Sequence, residues 1–113
     1  MGLGHVIKKL EVGQEITVST EEAEYHGTVD NHGYDERKED PADPWYDPGG
    51  ASARVNLDQD TVERLNLDAT TLKVTCGQFE DFPKWKTPVA TLYHDGKKKD
   101  EVGEVTDILV VEN

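Results

Sequence analysis

With 24 acidic side chains against 12 Lys and Arg, the chain carries a formal net charge of -12 over 113 residues, and its 35% hydrophobic content suffices for one modest core but not two. No apolar run approaches the roughly 18 residues of a membrane span, and Met1-Gly2-Leu3-Gly4-His5 lacks the basic flank and apolar stretch of a secretory leader. A single cysteine, Cys76, excludes an internal disulfide and any zinc site built on paired cysteines.

Leu3, Val6, Ile7 and Leu10 recur at helical spacing before Val12-Gly13 breaks the pattern, which predicts one or two helical turns covering an end of the core. Ile16 to Thr20 and Ala23 to Val29 are β-branched or aromatic runs separated by Glu21-Glu22, the pattern of an antiparallel hairpin. Gly27, interior to the second run, predicts a strong bend or a bulge there. From Asp35 to Ser52 the composition turns acidic and rich in Pro and Gly, which predicts one long loop over residues 35–52. Trp45 and Tyr46 within it either pin the loop to the domain or offer an aromatic contact to a protein partner.

Ala53 to Leu57 resumes a strand, Asp58 suits the cap of a short helix carrying Val62 and Leu65, and Asn66 suits the left-handed position that ends it. Thr71 to Cys76 alternates as a strand, placing Cys76 among the buried small hydrophobes rather than the reactive thiols. Asp81 to Lys86 reads as a loop, with Pro83 and Pro88 limiting any central strand. Val89 to Tyr93, the turn signal Asp95-Gly96 and Val102 to Val111 make a closing hairpin. Lys97-Lys98-Lys99 then fall at its tip or edge, where lysines discourage sheet association; a phosphate-binding role is the alternative. The sum is a mostly β chain, a single domain over residues 1–113. Its expected architecture is a small bent antiparallel barrel with a short N-terminal helix and one short internal helix.

Residues 3–29, a short helix, Gly13, Glu15-Ile16-Thr17-Val18, a two-acid turn, Tyr25, Gly27 and Val29, resemble the opening of Sm-like proteins. Residues 103–111, Gly103-Glu104-Val105-Thr106-Asp107-Ile108-Leu109-Val110-Val111, resemble the closing strand pair of that family. The resemblance implies an SH3-like five-strand bent barrel, single-stranded RNA as partner, and a ring joined through the last strand, around Ile108 to Val111. A monomer is the other outcome, because the long acidic loop would block such a ring. The family's RNA-site residues are missing: His32-Gly33-Tyr34-Asp35 and the acidic stretch follow the second strand, and Val105-Thr106 replace the usual Arg-Gly. The middle of the chain, Arg54-Val55-Asn56-Leu57 through Leu72-Lys73-Val74, is also similar to swapped-hairpin transcription regulators, although Asp58, Asn66 and Ala69 stand where those families carry Pro and Gly.

His26 and His32 flank the bend with Asp30 and Asp35 nearby, but the spacing defines no metal set, and surface histidines without a role are expected; no metal and no cofactor are assigned. No nucleophile elbow, phosphate loop or dinucleotide fingerprint is present, so no catalytic residue is assigned. Lys84, Trp85, Lys86 and Tyr93 form the stretch where aromatic rings and positive charge interleave, the chemistry single-stranded RNA would need; otherwise Trp85 is a core or lid residue. A surface this acidic suits a medium rich in counter-ions. The expectation is therefore a non-enzymatic binding module from a halophilic cytoplasm, with no membrane association and an unidentified protein or RNA partner. Small enzyme, metal-binding protein and transcription regulator remain the alternatives.

Overall fold

The computed structural model describes residues 3–35, 50–77 and 87–111. The elements run α1 (Leu3–Lys9), β1 (Glu15–Thr20), β2 (Glu24–Asp35), β3 (Gly50–Leu57), α2 (Gln59–Arg64), β4 (Thr71–Gly77), β5 (Val89–His94) and β6 (Lys97–Val110). The six strands form a closed antiparallel barrel in sequence order, the small barrel with two short helices that the sequence predicts, with one strand more than the five of the Sm-like pattern. Among the described residues no helix is long and apolar enough to cross a membrane.

Two long strands make closure possible. β2 pairs with β1 from Glu24 to Thr28 and with β3 from Gly27 to Asp35, so it changes partner at Gly27 and Thr28. β6 pairs with β5 from Lys97 to Glu104 and with β1 from Val105 to Val110, with Gly103 at φ +97° just before the change. Side chains alternate across the wall: Ala51, Ala53 and Val55 on β3, Leu72, Val74 and Cys76 on β4, and Ala90 and Leu92 on β5 point inward, with their sequence neighbours outward. Ile16 and Val18 of β1, Tyr25 and Val29 of β2, and Val105 and Ile108 of β6 complete the core.

The interior needs a plug, and α1 supplies it. α1 packs chiefly against β3, with Ile7 wholly buried and Leu10 nearly so; the alanines at 51 and 53 on that strand leave room for them. Burying a side chain the size of Ile7 stabilises by about 2 kcal/mol. Beyond the end of the helix at Lys9, the chain turns towards β1 at Gly13, which takes a left-handed φ of +99°. Gly13 N–H then donates to Val29 O and Val29 N–H to Gln14 O, which ties the turn to β2.

α2 is held from outside the barrel. Asp58 is its N-cap, its carboxylate accepting from Thr61 N–H at 2.8 Å. β3 has ended by then, so His26 N–H has no strand partner and donates instead to the fully buried Thr61 hydroxyl at 3.1 Å. Arg64 donates to Glu24 O, and Asn66 closes the helix at φ +51°, the left-handed role its side chain tolerates.

Three expectations are corrected. Residues 35 and 50–52 of the loop expected over residues 35–52 are strand: β2 reaches Asp35, and β3 already begins at Gly50, because Ala51 faces the core and pairs with Cys76 while Ser52 pairs with Thr75; residues 36–49 lie outside the described residues. β2 continues six residues past Val29 and β6 starts at Lys97 rather than Val102, both through polar stretches whose ladders, not side chains, hold them. Of the bend or bulge expected at Gly27, the bulge lies instead at the Val29–Asn31 step, where Asp30 is the extra residue, while Gly27 is where β2 passes from β1 to β3. Gly27 serves close approach instead: a Cβ there would lie 2.2 Å from Asn56 O and 2.7 Å from Val55 Cγ1.

Two predictions follow from this packing. Gly27→Ala forces β2 off β3 and is expected to cost roughly 3 kcal/mol or more, read by urea unfolding; a loss under about 1 kcal/mol would show that the ladder gives way. The Thr61 N–H bond holds the Asp58 carboxyl below its ordinary value, so its contribution is present above the unfolded aspartate value and lost as pH falls through the folded one. Asp58→Ala should therefore cost about 1 kcal/mol at neutral pH, with the difference between the two proteins shrinking in acid.

Candidate groove on the outer face of the barrel

An open groove of about 490 Å³ runs across the outer face of β2, β3, β4 and the β5–β6 turn. Its size falls within the range of small-ligand sites. Strand parity decides what it presents. Arg54 lies between inward Ala53 and Val55, Lys73 between inward Leu72 and Val74, and both therefore point outward. The register makes Asn31, Arg54, Lys73 and Thr91 one outward row and Thr28, Asn56, Thr71 and Tyr93 the next.

Arg54 and Lys73 are thus directly opposed on neighbouring strands. Opposed side chains have Cβ atoms about 5 Å apart, and like charges so placed repel. The bulge supplies partial relief, since Asp30 accepts from Arg54 Nε at 2.7 Å. This pair is exposed, with 52% and 33% of the two side chains accessible, so it positions the guanidinium more than it stabilises the fold. Lys73 has no ion-pair partner among the described residues, and the Arg54 Nη groups make no hydrogen bond with them. Asp95, the other carboxylate in the groove, sits 3.5 Å from His94 Nε2. Tyr93, half-buried, is the aromatic ring in the lining and lies diagonally from Lys73, a separation long side chains can bridge.

Of the contact residues expected from sequence, Tyr93 is in the groove, while Lys84, Trp85 and Lys86 lie outside the described residues, as do Trp45 and Tyr46. Lys97, Lys98 and Lys99 follow the two-residue turn Asp95-Gly96, whose φ values of +50° and +78° are those of a tight hairpin. Lys98 there is paired with Glu101.

The histidines depart from the expectation of role-free surface groups. Positions 26 and 32 are an even number apart and would share a face on an unbroken strand, but the extra residue at Asp30 reverses the parity. His26 therefore stays on the outer side, its Nδ1 2.7 Å from the Thr17 hydroxyl, while His32 turns inward and its Nε2 sits 2.6 Å from Ile7 O of α1. Both are half-buried and hydrogen-bonded. His26 and Asp58 line a smaller cleft of about 210 Å³, yet the Asp58 carboxylate is spent on the helix cap rather than on the imidazole. Among the described residues no group of three His, Cys, Asp or Glu side chains could hold a metal ion.

Arg54, Lys73 and Asn31 were not among the residues singled out from sequence. Alternation places each outward, but only the register puts them in one row. Compared with known proteins, the chain matches no family model, no curated protein and no solved structure.

Cys76 is 3% exposed and burial pushes its thiol up to about 11. Folded protein at pH 8 is therefore expected to resist iodoacetamide and to become labelled only in denaturant. Rapid labelling of the native protein would place the thiol in solvent.

Proposed function

We propose that this chain is a non-enzymatic binding module whose ligand face is the outer groove of β2–β5, working in the salt-rich cytoplasm of a halophile. The observation that carries the reading is the opposed pair Arg54 and Lys73, set in a concave face of a chain whose overall charge is -12. Packing gives no reason for two cations to face each other there, and their uncommitted donors suit an anionic or strongly polar ligand. Support for binding rather than catalysis comes from the thiol, the strongest nucleophile of the chain, since Cys76 is buried in the core and away from the groove. The acidic exterior supports the halophilic part, since dense counter-ions screen self-repulsion that a dilute buffer does not.

The test is a titration of isotope-labelled protein with inorganic pyrophosphate in about 0.1 M KCl, where charges still act over about 10 Å. Amide signals of Asn31, Ser52, Lys73 and Tyr93 are expected to move together, and the double substitution Arg54→Glu with Lys73→Glu to abolish the response. Movement confined to Lys97, Lys98 and Lys99 would transfer the anion site to the hairpin tip and overturn this assignment.

A further inference from the structure

We infer that the ligand of this groove is a nucleotide unit, with the phosphate held between Lys73 and Arg54 and the base laid against Tyr93. The inference rests on the groove being the ligand face. It draws on three features of the lining: two cations with free donors, one aromatic ring at a fixed offset from them, and neutral hydrogen-bonding side chains between.

The donors come first. Asp30 takes only the Nε–H of Arg54, so it holds the guanidinium in place while leaving the Nη groups to a ligand. A planar fork held this way fits phosphate bidentately, and the neighbouring Lys73 adds a mobile point charge opposite it. Of the two carboxylates in the lining, Asp30 is committed to Arg54, while the exposed Asp95 lies at the β5–β6 turn, 3.5 Å from His94 Nε2, a contact that is an ion pair only when that imidazole is protonated.

The ring comes second. Tyr93 is paired across the ladder with Thr71, one outward row from Lys73, so ring and ammonium stem from diagonal positions of the same face. That offset is roughly the span between the base and the phosphate of a single nucleotide. A phenol ring accepts any base by stacking, which is worth about 1–3 kcal/mol per base. Asn31, Ser52 and Thr71 supply amide and hydroxyl partners of the kind a ribose or a base edge uses.

An acidic peptide carrying an aromatic residue offers similar groups. The groove favours the nucleotide because it is an open concavity with polar walls, and the exposed large hydrophobics Val12, Val89, Leu109, Val110 and Val111, which would supply the apolar core of a protein interface, lie outside its lining.

The experiment titrates the labelled full chain with AMP, adenosine, ribose 5-phosphate, an oligo(A) hexanucleotide and a Tyr-Glu dipeptide, following the groove amides. AMP is expected to bind more tightly than either of its halves. Lys73→Gln should weaken AMP and ribose 5-phosphate about tenfold and leave adenosine unchanged. Tyr93→Leu should weaken AMP and adenosine about tenfold and leave ribose 5-phosphate unchanged. Both positions are outward, so unchanged core signals verify the fold in each variant. Tighter hexanucleotide binding, with a salt slope that falls by about 0.7 in Lys73→Gln, assigns the source as single-stranded nucleic acid. Equal affinity for AMP and the hexanucleotide assigns it as the free nucleotide. If ribose 5-phosphate binds and AMP is no tighter, the groove remains an anion site and the nucleotide inference falls. If the dipeptide binds more tightly than AMP, the inference falls in favour of a protein partner. Silence of the groove to every probe removes both the inference and the binding face.

Discussion

Ile16 against Val110, Thr17 against Leu109 and Val18 against Ile108 join the first strand to the last, and this seam defines an inside for every other residue. Without it the chain is an open meander with two solvated faces. With it, the alternation of each strand becomes an assignment of core or surface, because a slip of one residue would carry Val55, Leu72 or Val74 into water. The cost of closing so small a barrel is carried by β2 and β6, each long enough to serve two neighbours in turn. Small inward residues, Ala51, Ala53 and Ala90, and one plugging helix then match the narrow interior.

One extra residue ties the two ends of the molecule's chemistry together. At Asp30 the bulge leaves Asn31 outward beside Arg54 and turns His32 inward to the α1 carbonyl. The same residue provides the carboxylate that fixes the guanidinium. The anchoring of the N-terminal helix and the arrangement of the groove therefore depend on a single departure from regular pairing. A strand without the bulge would point His32 at solvent and move Asn31 out of the cationic row.

Most of the strands and both helices were legible because their signals are local. Leu3, Val6, Ile7 and Leu10 announce α1, Asp58 and Asn66 bracket α2, and Asp95-Gly96 marks its hairpin. The second half of β2 and the start of β6 were not, since Asp30 to Asp35 and Lys97 to Glu101 contain almost no apolar residues and are strands only because a partner strand lies alongside. The groove was legible in one residue, Tyr93. Arg54 and Lys73 are separated in sequence by α2, and nothing in either segment states the register that sets them face to face.

The seam has a further consequence for how the chain reaches this state. Every other ladder joins strands adjacent in sequence, so each needs only a local search, whereas β1 and β6 meet across nearly the whole described chain. The entropy lost in bringing such distant segments together must be met before their contacts reward it, and topologies of this kind fold in milliseconds to seconds rather than microseconds. The five sequential pairings can form independently of that meeting. Barrel closure is then the slow event, and α1, which packs on walls from both halves, is fully seated only after it.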